Sequence, residues 1–215
     1  MKICGIDEAG RGPVIGPLVI AGVSIEESNL ETLKKLEPKD SKMLSKKRRE
    51  ELFDQIQAIT DYYIVIVEPE QVDAALIAPE LNLNKLEGIK MAEAINNLNP
   101  DKAIVDAPST NIKEFTEFMR SHLENKNTEL LLEHKADENY AVVSAASILA
   151  KVTRDREIEK LNKIYGELGS GYPSDPKTRA FLAENWDIHP QIFRKTWATY
   201  KKVADQKKQK NLSDY

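Results

Sequence analysis

Gly5-Ile6-Asp7-Glu8-Ala9-Gly10-Arg11-Gly12-Pro13, followed by Gly16-Pro17, sets an acidic pair at the end of an apolar run and then turns the chain. Lys2 to Asp7 reads as a buried strand, and Gly10-Arg11-Gly12-Pro13 as a glycine-rich turn. Leu18 to Ile25 reads as the second strand of a hairpin. Charged side chains are seldom buried without a purpose, so Asp7 and Glu8 in this setting call for a counter-charge.

Outward from that hairpin the pattern alternates. Ser45 is placed to cap a helix running to Ile59. Tyr62 to Val67 reads as a strand, and Asn84 to Leu98 has helical spacing at Leu86, Ile89, Ala92 and Ile95. Lys102 to Asp106 is a short apolar strand ending in an acid. Asn111 to Leu123 reads as a helix, Leu130 to Glu133 as a strand, and Val142 to Leu168 as a long helix. Gly169-Ser170-Gly171-Tyr172-Pro173-Ser174-Asp175-Pro176 breaks structure, and the rest is helical with a lysine-rich tail. A hairpin followed by alternating helices and strands implies an α/β fold, with a mixed sheet of about five strands flanked by helices.

Composition narrows the function classes. The 215 residues are 41% apolar and 31% charged, as expected of a globular protein. No apolar run approaches the ~18 residues of a membrane helix. The start lacks a signal-peptide pattern, so a cytoplasmic protein is expected, with the single cysteine, Cys4, buried and inert. Net charge is −4, which argues against indiscriminate nucleic-acid binding. Positive charge is concentrated locally, in 34–50 and in 195–210. Taken alone, such charge runs read more readily as solvated helix faces. Lys46-Lys47-Arg48-Arg49 opens a helix, where positive charge opposes the helix dipole unless an anion is bound.

Asp7, Glu8, Asp106 and Asp137 form the candidate site. Asp106 follows the apolar run Ala103-Ile104-Val105, and Asp137 lies between the last strand and the long helix. In open α/β sheets, sites gather beyond the carboxyl ends of strands. Clustered carboxylates resist ionising together, and a divalent cation removes that penalty. Oxygen ligands alone suit magnesium or manganese. Two such ions about 4 Å apart serve phosphodiester hydrolysis. Taken singly, Asp106 or Asp137 reads equally well as a helix cap or a surface charge.

Together, the opening motif, Asp40-Ser41-Lys42, Val105-Asp106, His134-Lys135-Ala136-Asp137, Ser144-Ala145-Ala146-Ser147-Ile148-Leu149-Ala150-Lys151 and the Gly169–Pro176 loop resemble the ribonuclease HII family in its archaeal form. The likeness covers most of the chain. It implies an RNase H-like core over 1–168, a helical C-terminal substrate-binding extension over 169–208, and a flexible tail over 209–215. It implies a monomeric endonuclease with catalytic, metal-binding carboxylates at Asp7, Glu8, Asp106 and Asp137, holding two magnesium or manganese ions. The expected substrates are RNA–DNA hybrids and duplex DNA carrying single ribonucleotides, cut on the 5′ side to leave 3′-hydroxyl and 5′-phosphate ends. That activity serves ribonucleotide excision repair and DNA replication.

The resemblance also assigns substrate contacts. Gly10, Arg11 and Gly12 would meet the ribose 2′-hydroxyl through the backbone, which glycine permits by close approach. Tyr172 would read the RNA-to-DNA junction, by stacking and through its hydroxyl. Lys42, Ser147 and Lys151 are candidate phosphate contacts. Arg154 continues the stripe of Ser144, Ser147 and Lys151, and reads equally as a solvated position. In the tail, Gln209, Leu212 and Tyr215 resemble the binding motif for a PCNA-type sliding clamp. A solubilising tail is the alternative.

Other functions predict other features. An actin-like phosphotransferase needs a second glycine-rich phosphate loop, which the sequence lacks. A hybrid-binding module has no use for four acids at strand ends. A junction resolvase of the same superfold is the nearest rival, and the Gly10-Arg11-Gly12 turn with Tyr172 favours ribose reading over junction shape.

Overall fold

The computed structural model describes residues 1–38 and 44–213, with side chains through residue 209. Lys42 and Tyr215 lie outside the described residues, as does the side chain of Leu212. The chain runs β1 (Lys2–Ala9), β2 (Leu18–Glu26), α1 (Leu30–Lys34), α2 (Lys46–Ile59), β3 (Asp61–Val67), α3 (Pro69–Ile77) and α4 (Leu83–Leu98). It continues with β4 (Lys102–Asp106), α5 (Ile112–His122), β5 (Glu129–Glu133), α6 (Ala136–Asn139), α7 (Ala141–Tyr165), α8 (Pro176–Asn185) and α9 (Ala198–Ser213).

The sheet order is β3-β2-β1-β4-β5. β1 pairs antiparallel with β2, from Lys2↔Glu26 to Ala9↔Val19, and parallel with β4, from Ile3↔Lys102 to Ile6↔Val105. β4 pairs parallel with β5. The expected mixed five-stranded α/β sheet is therefore present. β1 and β2 lie inside the sheet and are buried along most of their length, so they carry continuous apolar runs rather than alternation. β3, at the edge, exposes Tyr62 and Ile66 and buries Val65 and Val67.

Local signals explain the helix ends. The Ser45 side chain accepts from Arg48 N–H at 3.2 Å and caps α2 as expected. α3 was not foreseen, although its capping box was legible. The Glu68 N–H donates to Gln71 Oε1 at 2.9 Å, and Pro69 opens the helix. α7 stops at Tyr165 rather than Leu168, because Gly166 turns left-handed (φ 89°). The expected flexible tail is helical through Ser213, with Gln209 exposed near its end.

The residues group into two compact units. The first comprises Met1–Ala9, Val19–Ile66 and Asn84–Thr153. Its core packs strand residues such as Val19, Val23 and Ile104 with Val142, Ala145, Ile148 and Leu149 of α7. The second comprises Gly10–Leu18, Val67–Leu83 and Arg154–Tyr215. Its core holds Val14 and Ile15 together with Ile158, Leu168, Phe181, Ile192 and Phe193. The expected division at residue 168 differs from this grouping, since the glycine-rich turn and α3 belong with the C-terminal helices.

Candidate metal centre

Parallel pairing of Ile6 with Val105 carries Asp7 and Asp106 to the same level at the ends of β1 and β4. Asp137 arrives from α6, which the chain enters through Lys135 in a left-handed conformation (φ 59°). The Lys135 N–H donates to Asp106 Oδ1 at 2.9 Å and ties that turn to the end of β4. Asp7, Asp106 and Asp137 thereby offer carboxylate oxygens that all lie within 4.8 Å of one another. Glu8 stands outside this group of three. Its N–H donates to Asp7 Oδ1 at 2.7 Å.

The cluster is electrostatically loaded. Burial, above all, pushes the Asp7 carboxyl up to about 7. A hydrogen bond with Ser147 and the Glu8 N–H act downward, while Asp106 and Asp137 act upward. Such a group is reluctant to ionise in the bare protein, and a nearby cation reverses that preference. The group contains oxygen donors alone, with no histidine or cysteine. That donor set fits a hard divalent cation of the magnesium or manganese class.

Ser147 is 1% exposed and hydrogen-bonded to Asp7, so it supports a member of the cluster. Lys151 Nζ donates to Ser147 Oγ at 3.3 Å. His134 Nδ1 lies 3.0 Å from the Ala107 carbonyl oxygen, which fixes the ring beside the end of β4. Cys4 is fully buried, and burial pushes its thiol up to about 12, in line with an inert side chain. In the basic cluster, Arg48 Nη2 donates to Leu36 O at 3.3 Å and Arg49 Nη1 to Leu44 O at 2.6 Å. These two arginines therefore turn back onto the chain.

In the second unit, Gly10 has φ 89°, and a Cβ there would strike Arg154 Cδ at 2.6 Å. Gly12 is exposed, and a Cβ on it would meet the Tyr172 ring at 3.6 Å. Arg154 is not solvated, being 5% exposed. Its guanidinium lies 4.8 Å from the Tyr172 ring centroid, and Nη2 donates to Ser170 O at 2.9 Å.

Sequence reasoning missed Arg194, Asp73 and Trp197. Arg194 is fully buried and donates to the carbonyls of Gly10, Arg11 and Gly16. Asp73 accepts from the N–H groups of Lys195 and Thr196 at 2.7 and 2.9 Å. Trp197 Nε1 donates to Gly12 O at 3.3 Å. One arginine beside a lysine-rich run carries no periodic signal, because its partners are backbone carbonyls distant in the chain.

A model of the Ribonuclease HII family matches residues 4–200. The chain is 49% identical to a ribonuclease HII of Thermococcus onnurineus, over 95% of this chain and 91% of that one. Among solved structures it is similar to ribonuclease H2 of Pyrococcus horikoshii, with a TM-score of 0.88 and 46% identity, covering 96% of this chain and 98% of that one. It is also similar to the ribonuclease HII of Archaeoglobus fulgidus, solved in complex with PCNA, with a TM-score of 0.82 and 41% identity, covering 92% and 95% of the two chains.

Proposed function

The chain belongs to the ribonuclease HII family, and from that premise we propose how it selects and cuts its substrate. It is an endonuclease of the ribonuclease H type, acting on the RNA of RNA–DNA hybrids. Within that activity we assign cleavage on the 5′ side of single ribonucleotides in duplex DNA, leaving 3′-hydroxyl and 5′-phosphate ends. The observation that carries this is the convergence of Asp7, Asp106 and Asp137, with Asp7 pushed up to about 7.

Asp7, Asp106 and Asp137, with Glu8 as the fourth carboxylate, would hold two divalent cations, magnesium or manganese. When bound, these ions supply charge that offsets the developing negative charge on the scissile phosphate. The chain's own residues do the rest. Ser147 orients Asp7 by hydrogen bond, and Lys151 orients Ser147. Backbone N–H groups of the Gly10-Arg11-Gly12 turn meet the ribose 2′-hydroxyl, the one group that separates RNA from DNA at a given nucleotide. Tyr172 stacks on the nucleotide at the junction, with Arg154 packed on its ring. Lys42 contacts the phosphate backbone.

The C-terminal residues Gln209, Leu212 and Tyr215 would dock a monomeric enzyme onto a PCNA-type sliding clamp, in keeping with work in replication and ribonucleotide excision repair. The similar Archaeoglobus protein solved with PCNA supports this reading.

Three duplexes of one sequence test the reading with magnesium present: all-DNA, one embedded ribonucleotide, and a uniform RNA–DNA hybrid. The expected result is no cutting of the first, a single cut 5′ of the ribonucleotide in the second, and multiple cuts in the third. Cutting of the all-DNA duplex, or of four-way junctions in preference, would favour a resolvase instead.

A further inference from the structure

We propose that Arg194 is a positioning residue that holds the Gly10-Arg11-Gly12 turn so that its N–H groups face the ribose. The inference rests on the assignment of that turn to 2′-hydroxyl reading.

A turn with this much glycine has little conformational preference of its own. Something outside it must choose its shape. Arg194 does so with its whole fork. Nη2 donates to Gly10 O at 2.7 Å and to Gly16 O at 3.0 Å. Nη1 donates to Arg11 O at 3.2 Å, and Nε to Gly16 O at 3.1 Å. Trp197 adds Nε1 to Gly12 O at 3.3 Å, and its ring lies 4.9 Å from the Arg194 guanidinium. One side chain and its aromatic neighbour thus fix every carbonyl of the three-residue turn.

Those carbonyls decide where the amides go. The peptide unit is planar, and there are no cis bonds among the described residues. In a trans peptide, C=O and the following N–H point in opposite directions. With Gly10 O and Arg11 O drawn toward Arg194, the N–H groups of Arg11 and Gly12 project away from it. Gly12 is exposed, and a Cβ on it would lie 3.6 Å from the Tyr172 ring. The amides turned from Arg194 thus belong to a turn that also neighbours the proposed junction-reading aromatic. A donor fixed in advance binds more tightly than one that must be ordered on contact.

A purely architectural role is separable from this. The surrounding segment has its own ties: Val14 N–H and Ile15 N–H donate to Gly171 O at 2.9 and 3.2 Å, and Gly16 N–H to Ile192 O at 3.0 Å. A fully buried guanidinium is costly to desolvate, and here that cost is offset by bonds to the carbonyls of Gly10, Arg11 and Gly16.

The test measures binding of full-length Asp7→Asn chains, with magnesium, to three duplexes differing only at one 2′ position: hydroxyl, fluoro or hydrogen. Trp197→Phe, Arg194→Lys and Arg194→Gln are compared with the parent. Active chains are assayed in parallel for KM and kcat. The parent should prefer the hydroxyl. Arg194→Gln should lose about tenfold of that preference, the order of one hydrogen bond, with the all-deoxy duplex bound as before. Arg194→Lys should fall between, and Trp197→Phe should show a smaller loss in the same direction. In active chains the loss should appear in KM for the single-ribonucleotide duplex. If the Arg194 variants do not melt cooperatively, Trp197→Phe decides, since it keeps the ring. A folded variant with undiminished 2′-hydroxyl preference would overturn the proposal, as would equal weakening on all three duplexes. No preference in the parent would overturn the ribose-reading assignment itself, and this role with it.

Discussion

Gly5 of β1 lies so close to Val142 of α7 that a Cβ on it would sit 2.2 Å from the Val142 carbonyl carbon. No side chain can move aside there, because the atoms it meets are backbone. Contact at that distance brings the helix carrying Ser147 against the strand carrying Asp7. Overpacking a core commonly costs about 1–3 kcal/mol, and a backbone obstacle puts Gly5→Ala at or above the top of that range. A denaturant melt reads the loss, and magnesium-dependent activity should fall with it. A variant with native stability would show that strand and helix can separate without consequence.

The high Asp7 value makes stability depend on pH in a stated direction. The unfolded chain gives up this proton near 3.8 and the folded chain near 7. Between those values the folded state holds the extra proton, so stability falls as pH rises through that window and levels off above it. Asparagine lacks the buried charge and keeps an oxygen for the Glu8 N–H. Metal-free Asp7→Asn should therefore melt several degrees above the native chain at about pH 8, and close to it at about pH 4. Turnover should be abolished. Magnesium should raise the melting temperature of the native chain far more than that of the variant. Equal melting at both pH values would remove burial as the cause.

Ser147 pulls Asp7 downward against burial. Ser147→Ala removes that pull, and Asp7 then ionises at higher pH. The acid limb of the magnesium-dependent rate profile should move to higher pH, with a severalfold loss near neutrality and little change in alkaline solution. Lys151→Met should do the same more weakly, since Lys151 Nζ holds Ser147 Oγ at 3.3 Å. A uniform loss across the profile would assign both residues to phosphate binding instead.

Much of this was legible from residue order, and for physical reasons. β4 ends in Asp106, and β1 carries Asp7 and Glu8 just before its end at Ala9, so strand pattern and candidate ligand came from the same residues. Asp106 and Asp137 proved to be cluster members, which their sequence setting alone left open. Glu8 was expected with them, and its carboxylate is not one of the three whose oxygens lie within 4.8 Å of one another. The stripe of Ser144, Ser147 and Arg154 lacks the apolar look of a core face, yet all three are buried, because each finds a polar partner: Pro38 O, Asp7 and Ser170 O. Periodicity does not reveal such partners. Asp73 and Arg194 were invisible for the same reason, as both act on backbone groups across long chain separations.

Tyr172 is 38% exposed and held from one side by Arg154, an arrangement suited to a ring that stacks on its free face. Base–aromatic stacking is worth about 1–3 kcal/mol. Tyr172→Ala should lower kcat/KM for a single embedded ribonucleotide by about tenfold or more, and for a uniform hybrid much less, because a hybrid offers many registers. Arg154→Met should share the pattern by loosening the ring. Equal losses on both substrates would make Tyr172 a loop anchor.

The end of α9 tests the clamp assignment. Tyr200 and Ala204 are the last residues of the second core, so deleting 209–215 removes no described core side chain. Melting temperature and rates on free duplexes should therefore be unchanged. Gln209 and Leu212 are three residues apart in helical backbone. Tyr215 extends the same spacing beyond the described residues. Docking would order this segment in an apolar pocket at an entropic cost, which argues for modest affinity. Pulldown with a PCNA-type clamp should be lost on deletion, and Leu212→Ala with Tyr215→Ala should reproduce the loss. A truncated chain that still binds the clamp would move the contact elsewhere on the protein and leave the C-terminal residues as a solubilising tail.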